Sequence, residues 1–243
     1  MRNHKLLAVI LSLIYSFSNA QERLKVEYEV LPYYESNEKS PFEVTALSSI
    51  YELLVDQEES QYNFIEKIDN TQKEPGQGMS ATMQVRSTGT LYKNTKNGTW
   101  TEDVLFENKT YLIKDSLKNL DWTITKEKRN IAGFDVLKAT TTMDDKYKTE
   151  VTAWYAPKLN FKNGPDEFWG LPGLILEIET EIKHENGGRE GKKIVAQKVA
   201  VVPSKIKAPS KGEVISKKDF GDMQKAHYKQ MMEMFQSSGV DKD

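Results

Sequence analysis

Short runs in which apolar and polar residues alternate dominate the chain. Tyr51–Asp56 and Gln61–Glu66 flank the polar stretch QEES and predict a β-hairpin. Thr90–Asn94 and Gly98–Glu102 predict a second, with Asn97-Gly98 as its turn. Lys109–Lys114, Asp121–Lys126, Ile131–Ala139 and Tyr147–Tyr155 continue the pattern, and Asn186-Gly187-Gly188 turns the chain into Ile194–Val202. Connections this short join antiparallel neighbours, so the pattern predicts an antiparallel meander in a mainly β (α+β) domain. Polar loops are expected between Glu35 and Ser40 and between Asn70 and Ser80, the second with a turn at Pro75-Gly76.

The period changes once, near the C-terminus. Ser216 can cap a helix, with Asp219 three residues on completing a weak capping box. Phe220, Met223, His227, Met231 and Met234 then fall on one helical face, which predicts a helix over about 216–236 lying on the sheet.

The densest turn chemistry is in GPDEFWGLPGLILEIE, residues 164–179. Gly164, Pro165, Asp166 and Glu167 read as the start of a single helical turn that Gly170 ends in a left-handed conformation. Leu171-Pro172-Gly173-Leu174 fits a type II turn, and a buried strand follows from Leu174. Period-2 reading places Leu176 and Ile178 on one face of that strand, and Ile175, Glu177 and Glu179 on the other. In the preceding strand Val151, Ala153 and Tyr155 point to the core, whereas Trp154 falls on the polar side. Phe168 and Trp169 are positioned to plug the sheet end. Trp154, Trp169, Ile175 and Phe168 are therefore the candidate lining of a ligand pocket.

Composition narrows the setting. Arg2 and Lys5, an apolar run Leu6–Phe17 and the small residues Ser18-Asn19-Ala20 read as a signal peptide over 1–20, followed by one domain over 21–243. The apolar run is 12 residues, shorter than the roughly 20 a spanning helix needs, so no transmembrane anchor is expected. With Gln21 at the expected cleavage point and no cysteine in the chain, no lipid anchor, disulfide or thiolate chemistry is expected either. Beyond the leader, 32 basic residues stand against 36 acidic ones, interspersed rather than blocked, which argues against a nucleic-acid partner.

Few constellations could carry chemistry. There is no Gly-x-Ser-x-Gly elbow, and His184 and His227 are the only imidazoles beyond the leader. His184-Glu185 lacks the second histidine of a zinc-peptidase motif. Acid–base work by the carboxylates of Asp166, Glu167, Glu177 and Glu179 stays open, with solvated surface acids as the simpler account. On the helix, Met223, His227, Met231 and Met234 offer thioether and imidazole ligands suited to Cu(I), while the same stripe serves equally as core.

At residues 169–177, WGLPGLILE resembles the GLPGLI family of exported Bacteroidota proteins, whose function is unknown. Its motif here is Gly164, Pro165, Gly170, Leu171, Pro172, Gly173, Leu174 and Ile175. LDWTITKEKRNIAGFDVLKATT resembles a second segment of that family, through Trp122, Ile131, Gly133, Phe134, Lys138 and Ala139. The likeness covers about Leu112–Glu179, and Val136 stands where many members carry cysteine. It implies a curved, open antiparallel sheet or half-barrel with a C-terminal helix, in a protein of the cell envelope, with the periplasm as destination and release outside as the alternative. It implies no activity. The combined reading is a non-catalytic binding or assembly accessory with an envelope protein or small apolar ligand as partner. A carboxylate-dependent hydrolase of envelope glycan or peptide, and a Cu(I) carrier, are the alternatives.

Overall fold

The computed structural model describes residues 23–36, 43–65, 80–85 and 89–238. The expected leader and the Pro75-Gly76 turn lie outside them, as does most of the 35–40 loop. Fourteen strands and one helix are present among the described residues: β1 (Arg23–Glu35), β2 (Glu43–Leu47), β3 (Ser49–Val55), β4 (Glu59–Ile65), β5 (Ser80–Gln84), β6 (Thr90–Asn94), β7 (Thr99–Phe106), β8 (Lys109–Ser116), β9 (Thr123–Ile131), β10 (Phe134–Thr142), β11 (Glu150–Ala156), β12 (Leu174–Lys183), β13 (Arg189–Val202), β14 (Glu213–Ser216) and α1 (Lys217–Ser238).

Twelve strands form one open sheet in the order β14-β8-β7-β6-β4-β3-β1-β13-β12-β11-β10-β9, whose edges β14 and β9 do not pair. It is the open half-barrel expected, with α1 as its C-terminal helix. Its neighbours are antiparallel except β14 on β8, and β2 pairs β5, also in parallel, as a separate ribbon. Both parallel pairs join strands that are not consecutive, so the short-loop argument for an antiparallel meander does not constrain them.

Period-2 alternation builds the core. In β1, Leu24, Val26, Tyr28 and Val30 are all at most 4% exposed while the residues between them are only partly covered. Registers Tyr28↔Tyr51, Val26↔Leu53 and Leu53↔Tyr62 carry the same face across β3 and β4. On the other side Val30↔Ile194, Ile194↔Ile178 and Ile178↔Ala153 continue it to β11. We call this apolar side the inner face.

Two strand readings shift. Ile131–Ala139 contains a turn: Ala132 and Gly133 both have positive φ (49° and 85°), closing the tight β9–β10 hairpin. Tyr147–Tyr155 begins three residues early, because Lys148 is left-handed and the carboxylate of Asp145 accepts from the amides of Tyr147 and Thr149, making a turn. The helix start is as expected: Asp219 N donates to Ser216 Oγ at 3.1 Å, and Ser216 Oγ donates to Asp219 Oδ2 at 2.7 Å.

Candidate functional site

The 157–173 connection between β11 and β12 folds back over the inner face. Its arms are tied by the Asn163↔Trp169 bridge and by Gly170 N donating to Lys162 O. Asn163 Oδ1 accepts from Gly164 N and from Ser60 Oγ of β4, both buried. Tyr28 Oη donates to Ile175 O at 2.6 Å, so β1 holds the far end. Phe168 and Leu171, each 1% exposed, enter the core.

The centre of this arrangement is Lys93. Its side chain is 0% exposed, and its ammonium donates to the carbonyls of Gly164 (2.8 Å), Asp166 (2.6 Å) and Phe168 (3.1 Å). Three donors meet three acceptors, so the buried cation is fully hydrogen-bonded. Burial still pushes its pKa down to about 7, against the upward pull of Asp166 and Glu167. Asp166 sits at the tip of the wrapped segment with φ 52°, and Phe168 N donates to Pro165 O. The expected helical turn at Pro165 is therefore a tight turn. The left-handed Asp166, whose own carbonyl and those of Gly164 and Phe168 serve Lys93, cannot start a helix.

The expected type II turn is also replaced. Gly173 N donates to Leu171 O across Pro172, and Leu174 N donates to Leu159 O instead of closing a four-residue turn. Gly170 is left-handed as expected, at φ 95°. Gly173 is required by close approach: a Cβ there would lie 2.4 Å from the Ala156 carbonyl oxygen. Gly164 is similarly placed, with a hypothetical Cβ 2.7 Å from that of Ile175.

A β-bulge changes the faces of β12. The register runs Trp154↔Glu177 and then Tyr155↔Ile175, so two residues of β12 span one step of β11. Ile175 thereby joins Tyr155 on the inner face and is 0% exposed, correcting its assignment to the side of Glu177 and Glu179. Trp154 does project outward. The guanidinium of Arg129 lies 3.9 Å from its ring centroid and pairs with Glu177, which also meets Lys193 at 3.4 Å. Trp169 belongs to the inner-face connection; its Nε1 donates to Lys118 O and its carbonyl accepts from Trp122 Nε1, both at 2.9 Å. The two tryptophans thus do not form one wall, and Ile175 and Phe168 are core residues.

Beside the clamp the inner face carries two adjoining recesses that share Leu91, Glu102 and Asp166 in their linings. The smaller, about 200 Å³, lies over Val30, Tyr51, Tyr62 and Ile194, with the Asp166–Lys192 ion pair at its side. Tyr51 and Tyr62 stack at 4.8 Å, and Tyr28 and Phe64 meet them edge-on. The larger, about 460 Å³, runs between Trp100, the 115–121 and 142–145 connections, Glu167 and the first residue of α1, Lys217. Desolvation raises the Asp166 carboxyl, but the charges of Lys192 and Lys93 outweigh it and hold the group below its ordinary value. The neighbouring Glu167 is pushed up by desolvation and by the charge of Asp166, in spite of nearby lysines.

The helix stripe divides. Phe220, 5% exposed, and Met223 pack with Tyr111 and Ile113 on the β7–β8 end, and His227 lies edge-on to Phe106 with Nδ1 2.6 Å from Glu107. Met231 and Met234 are exposed. Among the described residues no cluster of three or more His, Asp or Glu suits a metal ion.

Sequence reasoning missed Lys93, Leu91, Glu102 and the inner tyrosines. A signal existed for the lysine: Leu91 and Lys93 alternate in the strand TLYKN, which puts the charge on an apolar face.

The family model "Protein of unknown function (Porph_ging)" matches residues 144–177, which end inside β12 and include the Lys93-clamped segment. No curated protein matches. Among solved structures, PNGF-II in a C2 crystal form is similar at TM-score 0.55 and 17% identity, over 83% of this chain and 32% of that one. The chain thus spans about a third of PNGF-II, and at this identity the likeness is one of fold. The LolA superfamily protein NE2245 from Nitrosomonas europaea aligns at TM-score 0.31 and 12% identity, over 75% of this chain and 87% of its own. MucB in complex with MucA(peri) aligns at 0.35 and 10%, over 82% and 57%. Both scores are too low to carry an argument.

Proposed function

We propose that this chain is a non-catalytic binding protein of the cell envelope and that the inner-face trough is its site. The observation that carries the reading is the pair of adjoining recesses beside a connection held by a buried lysine. The smaller recess, with apolar walls over Val30, Tyr51, Tyr62 and Ile194 and a fixed ion pair at its side, has the usual form of a ligand site. The Lys93 clamp supplies the rigidity such a site needs. The leader pattern of residues 1–20 supports export, with the periplasm as destination, and the segments around Gly170–Ile175 support membership of the GLPGLI family. Among the described residues no helix is long and apolar enough to cross a membrane.

Native mass spectrometry of the protein purified from its own envelope tests the reading. Wild type should carry a bound mass that the recess-filling Leu91→Trp variant lacks. Equal loading of the two, or a bare wild type, speaks against the trough as the site.

Carboxylate-dependent hydrolysis is the second reading, favoured by one observation. Asp166 and Glu167 line the same recess, one carboxyl held down and its neighbour held up, the relation an acid–base pair uses. Glu177 is instead committed to Arg129 and Lys193 on the other face. Hydrolysis of envelope peptides or glycans by wild type, abolished in Glu167→Gln with unchanged Tm, would favour this reading over binding.

A further inference from the structure

Resting on the binding reading, we propose that the smaller recess is a subsite for one neutral, phenol-like ring, whose hydroxyl pairs with the hydroxyl of Tyr62. An unpaired phenol carries the inference. Of the three tyrosines that pack together here, Tyr28 donates to Ile175 O and Tyr51 has a partner of its own. Tyr62, 6% exposed, lines the recess, and its hydroxyl makes no hydrogen bond among the described residues. Nor is that oxygen sealed in: the fully enclosed side-chain atoms without a partner among the described residues are Arg23 Nε and Ser49 Oγ. The Tyr62 hydroxyl therefore opens into the recess, able both to donate and to accept. Burial, aided by Asp166, Tyr51 and Tyr28, holds its pKa well above the ordinary value, so it stays a neutral hydroxyl.

Charge selects a neutral occupant. The charged residues of the lining are Asp166 and Lys192, which pair with each other, and Glu102, which is already engaged. Lys93, beside them, is saturated by three carbonyls. An anion or a cation entering here would give up its hydration with no free counter-charge to receive it.

Size and wall chemistry select a single ring. A cavity of roughly 150 Å³ takes one benzene-sized molecule, so a recess of about 200 Å³ takes one ring with small substituents. A long acyl chain does not fit there. Val30, Leu91 and Ile194 give aliphatic walls, and the stacked Tyr51–Tyr62 pair offers aromatic surface for edge or face contact. A sugar ring of the same size would press several hydroxyls against these apolar walls. Because the two recesses share part of their lining, the ring can be the terminal group of a longer molecule that continues into the larger one.

Ligand-observed NMR titration of the purified protein tests the proposal with probes of similar size: p-cresol, toluene, p-toluate and 4-methylbenzylammonium. The uncharged dye Nile red is titrated alongside. p-Cresol should bind at least ten-fold more tightly than each of the other small probes. Tyr62→Phe, which removes only the hydroxyl, should weaken p-cresol about ten-fold at unchanged Tm and leave toluene unaffected. Leu91→Trp should weaken p-cresol ten-fold or more. Equal affinity for p-cresol and any other small probe, or equal affinity for p-cresol in wild type and Tyr62→Phe, overturns the proposal. So does saturable binding of Nile red with none of p-cresol, an outcome that leaves the binding reading standing. No binding of either p-cresol or Nile red removes both.

Discussion

The ammonium of Lys93 on β6 donates to the carbonyl oxygen of Asp166 at 2.6 Å, across a sequence separation of 73 residues. This bond, with those to Gly164 and Phe168, joins one half of the sheet to the connection that covers the other. A charged group buried in this way holds only while every donor is satisfied. Lys93→Met is expected to destabilise the domain by about 2–4 kcal/mol, because three buried carbonyls lose their donor while a costly buried charge is also removed. Chemical denaturation measures this directly. Lys93→Arg is expected not to rescue, since a planar fork cannot serve three carbonyls arranged around a point.

The same lysine sets a pH dependence. Its folded pKa, about 7, lies below the ordinary 10.5, so above pH 7 the unfolded chain binds more protons than the folded one. Stability should therefore rise between about pH 7 and 10.5, by at most about 1.4 kcal/mol per pH unit from this group, and this contribution should be flat below pH 7. Denaturation midpoints across that range check it, and Lys93→Met should show a flatter profile than wild type.

Glycine positions should divide by mechanism. Gly173→Ala drives a methyl group against the Ala156 carbonyl at 2.4 Å and should cost 3 kcal/mol or more, or prevent folding. Gly98 has φ 63° but open space around it, so Gly98→Ala should cost only about 1 kcal/mol. Thermal melts of the two variants compare them.

On the outer face, Arg129→Ala should uncover the Trp154 ring and leave Glu177 with Lys193 alone. A loss of about 1–2 kcal/mol is expected, because the guanidinium is only partly buried and one cation remains. Acrylamide quenching of tryptophan emission should increase in the variant.

The helix offers a contrast within one stripe. Phe220→Ala should cost about 3 kcal/mol, whereas Met234→Gln should be near neutral, since Phe220 is buried against Tyr111 and Ile113 while Met234 is exposed near the end of the helix. Cu(I) titration of wild type beside a His227→Gln, Met231→Leu variant tests the thioether–imidazole proposal; equal affinity removes the helix as a site.

What could be read from the residues follows a physical divide. Hairpins with local turn signals, such as Asn97-Gly98 and Asn186-Gly187-Gly188, and the Ser216–Asp219 cap were legible because their information lies within a few residues. The strand β1 shows the clearest alternation of all, yet it pairs with β13 and β3, partners that no neighbouring turn announces. The bulge at Trp154/Tyr155 inverted the face of Ile175, as one extra residue does to any period-2 reading. The clamp was least accessible. Lys93 meets Gly164, Asp166 and Phe168 across a sheet in which four strands separate β6 from β12, and the backbone turns there depart from those that local propensity favours. The odd placement of Trp154 was visible in the sequence; its explanation, a covering arginine from β9, was not.

If the trough beside the Lys93 clamp binds a ligand, titration with the uncharged dye Nile red separates wild type from Leu91→Trp. Saturable binding to wild type is expected, at least ten-fold weaker in the variant, with matching melting temperatures. Equal affinity in the two proteins, or no saturable binding to either, would contradict it.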